Sequence, residues 1–314
     1  MLAVTVRAGE VLVEEHPDPE PGPGQVLVRV RAAGLNGADM LQRKGRYPAP
    51  PGSPKDIPGL ELAGEVAALG AGAERFELGQ RVMAIVGGGG QAELAVVHER
   101  TLMAVPDAVG AWAEAGGLPE VFTTAHDAIQ TQGELRCGER LLVHGGAGGV
   151  GTAAIQLGAA AGARVTATVR NPGLRERVAA LGAASVIAAE DFAAHGPFDV
   201  ILELVGAPNL AQDLDALAVN GRICVIGVGG GARGELDLLA LMGKRARIHG
   251  STLRARPLEE KALSARRMER EVLPLFGSGA LRVVVAERFP LKRVADAYEH
   301  FAAGGKLGKV VLEL

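Results

Sequence analysis

Aromatic side chains are scarce: Phe, Trp and Tyr make up 3% of the 314 residues, with one Trp and two Tyr. Base-stacking platforms for single-stranded nucleic acid need such rings, so that class of function is not expected. Neither sign of charge is in excess. Lys and Arg number 33 against 36 Asp and Glu, a formal net charge of -3. That balance gives no basic patch for nucleic acid and no attraction to an anionic membrane. The two cysteines, Cys137 and Cys224, are too few for a disulfide framework, and neither belongs to a metal-type cluster. The seven histidines are scattered without the spacing of a metal clasp. The apolar stretch after Gly151 falls short of the ~20 residues of a membrane span. Met1-Leu-Ala-Val-Thr-Val-Arg7 reads as a strand and not as a signal peptide, so a reducing cytoplasm is the expected compartment.

What the chain does have is glycine, 45 residues of it, and an ample 48% of hydrophobic residues. The glycine concentrates at Val143-His-Gly-Gly-Ala-Gly-Gly-Val-Gly151. Leu141 to Val143 reads as a buried strand, and a small-residue helical run starts near Gly149. Strand, glycine turn and helix are the setting in which Gly146-x-Gly148-x-x-Gly151 marks a dinucleotide site. Glycine lets the backbone approach a pyrophosphate, and the helix start offers N–H groups and a positive dipole end. Gly146, Ala147, Gly148, Gly149, Val150 and Gly151 are the cofactor-binding candidates of this loop. His144, beside it, is expected to orient the loop by hydrogen bonding.

Residues 1 to about 116 look β-rich, with Val26 to Arg31 alternating at period two and further strands at Leu60 to Leu69, Arg81 to Val86 and Ala92 to Val97. Residues 48–58 form a Pro-rich loop, and Gly87 to Gly90 is either a hairpin turn or a close approach to a ligand. From about 117 the pattern alternates. Glu120 to Gln132 and Leu174 to Leu181 read as helices. Strands fall at Leu141 to Val143, Val165 to Val169, Ser185 to Ile187, Asp199 to Val205, Arg222 to Gly227 and Arg245 to Gly250. Such alternation predicts an α/β fold, a doubly wound parallel sheet with crossover helices. Leu258 to Phe276 reads as one amphipathic helix, followed by a strand at Val283 to Val285, a helix near Val294 to Ala303 and a last strand at Lys309 to Leu314. That last piece is expected to return to the first domain. The domains are therefore 1–116 with 263–314, and 117–262.

Dinucleotide enzymes specific for NAD place an Asp or Glu about 20 residues past the glycines, on the ribose. This chain has Thr168-Val-Arg170-Asn171 there, with Arg175 following and Glu176 the nearest acid downstream. A guanidinium suits a 2′-phosphate, which points to NADPH. Gly227, at the end of the fifth strand, also faces the cofactor side of such a sheet. Glu61 and Glu120 sit in apolar company and read as paired structural carboxylates.

Several segments together carry a family likeness: Leu35-Asn36-Gly-Ala-Asp39-Met-Leu-Gln-Arg43-Lys-Gly45-Arg-Tyr47-Pro, Gly59-Leu-Glu61-Leu-Ala-Gly64, Gly88-Gly-Gly-Gln91-Ala, Pro119-Glu120, the glycine turn, and Gly308-Lys309-Val-Val-Leu-Glu-Leu314. The chain resembles, from end to end, the zinc-free quinone oxidoreductases of the medium-chain dehydrogenase/reductase superfamily, the ζ-crystallin relatives. The resemblance implies a GroES-like catalytic domain beside a Rossmann cofactor domain, NADPH as hydride donor, and a quinone or related electron-poor carbonyl as acceptor. It carries cofactor contacts onto Asn36, Thr124, Val150, Gly151 and Lys309, and a substrate-cleft tyrosine onto Tyr47. It makes Tyr47 and Asn36 the catalytic candidates. Zinc-dependent cousins have Cys at the position of Asn36 and Gly-His-Glu at Gly59-Leu60-Glu61, so no metal is expected. Where many relatives have a Lys this chain has Leu174, and where many have an Asn it has Lys306. The family pairs as a homodimer through the sixth strand, Arg245 to Gly250. The acceptor is expected in the crevice between the domains, walled by Asn36, Tyr47 and the run Gly87 to Gly90. The alternatives are an NADPH-dependent enone or alkenal reductase on the same fold, and a nucleotide- or RNA-binding crystallin-like protein without turnover.

Overall fold

The computed structural model describes residues 1–314. Its first strands, in chain order, are β1 (Leu2–Arg7), β2 (Glu10–Glu15), β3 (Gln25–Gly34), β4 (Glu61–Leu69), β5 (Arg81–Ile85), β6 (Leu94–His98) and β7 (Leu102–Ala104). There follow β8 (Arg140–Val143), β9 (Arg164–Thr168), β10 (Ser185–Ile187), β11 (Phe198–Glu203), β12 (Leu217–Val225), β13 (Arg247–Gly250), β14 (Val285–Pro290) and β15 (Lys309–Glu313). They fall into two units, Met1–Thr123 with Leu253–Leu314, and Thr124–Thr252.

The first unit is built on a sheet of order β14-β15-β3-β4-β5-β7, with β6 also pairing β3. Its pairs are antiparallel except β14 with β15. The period-two pattern of β3 sends Val26, Val28 and Val30 into a core with Leu62, Val66, Val82 and Leu102. Burying each such aliphatic side chain contributes about 1.5–3 kcal/mol. A second core, around Leu35, Val294, Tyr298, Val310 and Leu312, fixes the end of β3 and the start of β15. Residues Asn36 and Lys309, at those two points, are thereby held side by side.

The second unit is a six-stranded parallel sheet of order β10-β9-β8-β11-β12-β13. Counted within the unit this is 3-2-1-4-5-6, the doubly wound dinucleotide-binding order. Central β8 is fully buried at Leu141, Leu142 and Val143, as its unbroken apolar run requires. Strand β13 closes one edge. The helix Leu238–Lys244 before it leaves Leu238, Leu239 and Met242 64%, 77% and 71% exposed.

Some elements differ from the sequence reading. The helix expected over 120–132 is α-helical only at Pro119–His126, then widens into a π-helical turn, Asp127–Gln132. The helix expected over 258–276 is likewise interrupted by a π-helical turn at Met268–Val272. Pro274, in the first turn of the following helix Leu273–Gly277, has no N–H to continue the earlier ladder, so the register slips by a residue. The strand expected at 283–285 begins only at Val285. The helix of 174–181 shortens to Arg175–Ala179, after a 3-10 turn at Pro172–Leu174. The units divide at 123/124 and 252/253, and not at 116/117 and 262/263. The buried Arg254 accounts for the second difference, because its guanidinium is bonded to Gln42, Tyr47 and Gly87 of the first unit.

Candidate active site

In the second unit the chain leaves β8 at His144 and turns at Gly145, whose φ of 63° is the left-handed region open to glycine. Gly146 N–H donates to the Thr168 carbonyl at 2.9 Å and Gly148 N–H to the Gly145 carbonyl at 2.9 Å. A Cβ on Gly146 would come 2.9 Å from that of Ala167, and one on Gly151 would run into the Gly145 carbonyl. The turn therefore lies flat against the helix Gly149–Ala160. Thr152 N–H, bonded to the Gly148 carbonyl at 2.8 Å, is the helix's first with a partner four residues back. Those before it lack intrahelical acceptors and face the dipole's positive end, an arrangement suited to an anion. Ala147, Gly149 and Val150 are partly open to solvent and Gly148 is exposed. The glycines and the open helix start fit a pyrophosphate, which passes the dinucleotide cofactor on geometry.

Beneath the turn lies a buried polar cluster. His144 Nδ1 meets Thr168 Oγ1 at 3.2 Å, and that oxygen accepts Gly145 N–H at 3.2 Å. His144 Nε2 is 2.8 Å from Asp213 Oδ1 and 3.7 Å from Glu203 Oε2. Glu203 accepts N–H groups of Val205 and Gly206 and the Asn209 amide. Burial lowers the pKa of His144, raises that of Glu203, and pushes Asp213 up to about 7. Burial thus favours the neutral imidazole and the protonated form of both carboxyls. The donor types are those of a metal site. Their bonds, however, run to the turn and to the loop after β11. This is the orienting role expected for His144. Glu203 and Asp213 were missed. The acid that interrupts the apolar run from Val200 to Val205 was the signal for Glu203.

Thr168 spends its side chain on this cluster. Arg170 is exposed past the end of β9. Asn171 caps the next turn by accepting Gly173 N–H at 3.0 Å, and Arg175 Nε donates to the Val169 carbonyl at 3.3 Å. Thr124 is buried in its helix. Gly227 packs where a Cβ would strike the Leu204 carbonyl, so its glycine serves the contact between the loops after β11 and β12.

The first unit holds a second group. Lys309, 3% exposed, donates to the Leu35 carbonyl at 2.7 Å, to Asn36 Oδ1 at 2.7 Å and to Glu61 Oε1 at 2.6 Å. An ammonium has three donors, and all are used. Asn36 Nδ2 donates to the same Glu61 oxygen at 3.0 Å and to the Gly34 carbonyl at 3.3 Å. Asn36 therefore has only an oxygen lone pair to offer a ligand. Glu61 Oε2 accepts Glu120 N–H at 2.9 Å. Asp39 accepts N–H groups of Asn36 at 2.8 Å and Gly59 at 3.1 Å; its burial raises its pKa to about 6, against the pull of those bonds and of Lys309. Glu61 is the paired carboxylate its surroundings suggested. Tyr47 is partly buried, and burial raises its pKa. The run Gly87 to Gly90 packs on the Pro-rich loop. A Cβ on Gly87 would collide with Ser53, and Gly89 N–H bonds to the Ile57 carbonyl at 2.9 Å. The glycines there are required by packing between loops.

Residues 22–107 match the alcohol dehydrogenase GroES-like domain, and residues 181–312 match a family described as zinc-binding dehydrogenase. The human quinone oxidoreductase is 31% identical over 310 residues, covering 94% of this chain and 91% of that protein. The chain belongs to the quinone oxidoreductases of the medium-chain dehydrogenase/reductase superfamily. A quinone oxidoreductase of Pseudomonas aeruginosa is 34% identical over 93% of this chain and 92% of its own. The structure of the quinone oxidoreductase from Thermus thermophilus, described with its NADPH complex, superposes with a TM-score of 0.87 at 32% identity over the whole of both chains. This quinone oxidoreductase chain thus pairs a GroES-like unit with a Rossmann unit. No helix is long and apolar enough to cross a membrane.

Proposed function

We propose that the protein is an NADPH-dependent, zinc-independent quinone reductase, working as a cytoplasmic homodimer. The observation that carries the reading is the glycine turn before an open helix start, with Arg170 exposed at the end of β9 and no acid there. NADPH supplies a hydride when bound. The turn Gly146 to Gly151 holds its pyrophosphate. Arg170, with Asn171 and Arg175 nearby, takes the 2′-phosphate through charge-assisted bonds. Thr124, Thr168 and Gly227 shape the rest of the cofactor's bed.

The reading of zinc independence rests on the donor set. Catalytic zinc takes three Cys, His or carboxylate ligands. Here Leu60 is apolar and buried, Asn36 is an amide, and the Glu61 carboxylate is already paired with an ammonium. Lys309 thus neutralises a carboxylate beside Asn36, and Asn36 Oδ1, which accepts from Lys309, keeps one lone pair to accept from the cofactor. Tyr47 supplies a ring face to a flat acceptor and a phenol O–H to its oxygen as negative charge develops. The chain's contribution is to orient, to exclude water and to stabilise that charge.

The test follows loss of reduced nicotinamide absorbance with an ortho-naphthoquinone, a phenanthrenequinone or an α,β-unsaturated aldehyde as acceptor. The quinones are expected to turn over, with and without a zinc chelator. Turnover of the aldehyde alone would favour the alkenal reductase, and chelator-sensitive turnover would overturn zinc independence. No turnover with any acceptor would favour the non-enzymatic reading.

A further inference from the structure

Arg254 is a charged residue in the first unit that no motif marks, yet it is 3% exposed. Its guanidinium reaches three separate segments. Nε donates to the Gly87 carbonyl at 2.8 Å, Nη1 to the Tyr47 carbonyl at 2.9 Å, and Nη2 to Gln42 Oε1 at 2.5 Å. Its Cζ lies 4.9 Å from the centroid of the Tyr47 ring, within cation–π range. Tyr47 lies in the segment after Gly45, among residues with little regular structure. Arg254 holds both its backbone and its ring.

We propose that Arg254 is a positioning residue for Tyr47, clamping the tyrosine segment to the helix Gly37–Arg43 and the glycine run, and setting a fixed positive charge against the phenol ring. The inference rests on the reading of Tyr47 as an acceptor-side residue. A planar fork bonded on three sides and stacked on a ring is a geometry lysine cannot reproduce. Its charge makes the phenol O–H a stronger hydrogen-bond donor to a developing oxyanion. Tyr47 is raised by burial and pulled down by Arg254, with Glu120 acting against the arginine.

The experiment is a double-mutant cycle on the full chain, read as acceptor kcat/KM and as NADPH affinity. Arg254→Met is expected to lower acceptor kcat/KM about tenfold, with Arg254→Lys recovering part of it and NADPH affinity unchanged. In a Tyr47→Ala background, Arg254→Met should cost little more. Losses that multiply, or that fall on NADPH affinity, overturn the proposal. A neutral Tyr47→Ala sinks the reading of Tyr47 itself. Should the Arg254 variants not fold, Gln42→Leu frees one arm of the fork and must lower the same parameter; no effect overturns the proposal. A second readout uses tyrosine scarcity. The chain has two tyrosines, so Tyr298→Phe leaves Tyr47 as the sole phenol. Its ionisation, followed by tyrosinate absorbance, should move to higher pH when Arg254 becomes Met. An unmoved titration overturns the clamp.

Discussion

Arg170 stands exposed past β9, where this class of sheet places the group that faces the adenosine ribose. A charge-assisted contact to a 2′-phosphate contributes about 1.5–3 kcal/mol, so a tenfold or greater preference for NADPH over NADH is expected. Arg170→Glu should erase or reverse it. Affinities of wild type and variant for both cofactors decide the matter, and equal wild-type affinity would remove the phosphate site from Arg170. Asp213 supports a different prediction. Its carboxyl rises from 3.8 to about 7 through burial, so the folded state prefers it protonated. The stability this confers is complete below about pH 3.8 and is lost as pH rises through about 7. The stability of wild type relative to Asp213→Asn should therefore fall steadily between those limits in thermal unfolding, and parallel curves would refute it. His144 works in the opposite sense, since burial lowers its pKa and its contribution fades as pH falls. At this scale Asn36 stood out only through the family likeness of its segment; that Asp39 accepts the Asn36 backbone N–H at the helix start is a finding of the structure. Asp213 and Arg254 were not. Their partners lie 69 and up to 212 positions away, and nothing local records such pairings.

The glycine turn is one element with two kinds of glycine. At Gly151 a Cβ would strike the Gly145 carbonyl, whereas at Gly148 it would sit 3.4 Å from that oxygen, an ordinary contact. Gly151→Ala should thus lower both the melting temperature and NADPH affinity. Gly148→Ala, at an exposed helix cap, should keep the melting temperature and weaken NADPH binding alone. Calorimetric melting and titration of the two variants separate these roles; equal melting losses would show that the turn is strained throughout. Strand positions were legible because apolar runs and period-two alternation report burial directly. The π-helical turns at 127–132 and 268–272 were not. Each is a slip of one residue inside an otherwise helical pattern. Hydrophobic periodicity barely registers so small a phase change.

For the whole molecule, β13 ends the parallel sheet with one side unpaired, and the helix before it exposes Leu238, Leu239 and Met242. An open edge beside apolar side chains is a template for a second copy across a two-fold axis. Light scattering at micromolar concentration should give twice the 32.3 kDa chain mass, and Leu239→Glu should shift the population toward monomer. A wild-type monomer would overturn the pairing. The two-part architecture was legible from the switch between alternating strands and strand–helix repeats. The seam near 253 was not, since it is set by contacts distant in sequence, those of Arg254 with Gln42, Tyr47 and Gly87 and of Arg266 with Leu102 among them. The return of the chain after 253 also has a consequence for biosynthesis. Asn36 and Lys309 meet across 273 positions, and β15 joins β3 through pairs such as Val311 with Gly34. A ribosome delivers Asn36 and Glu61 early and the ammonium that neutralises Glu61 very late. Until then that carboxylate lacks the ammonium it is buried with, while the six strands of the second unit have already emerged. A translation product stalled before β15 carries the glycine turn without the Lys309 network. Synthesis of β15 is therefore the event that supplies the Lys309 network.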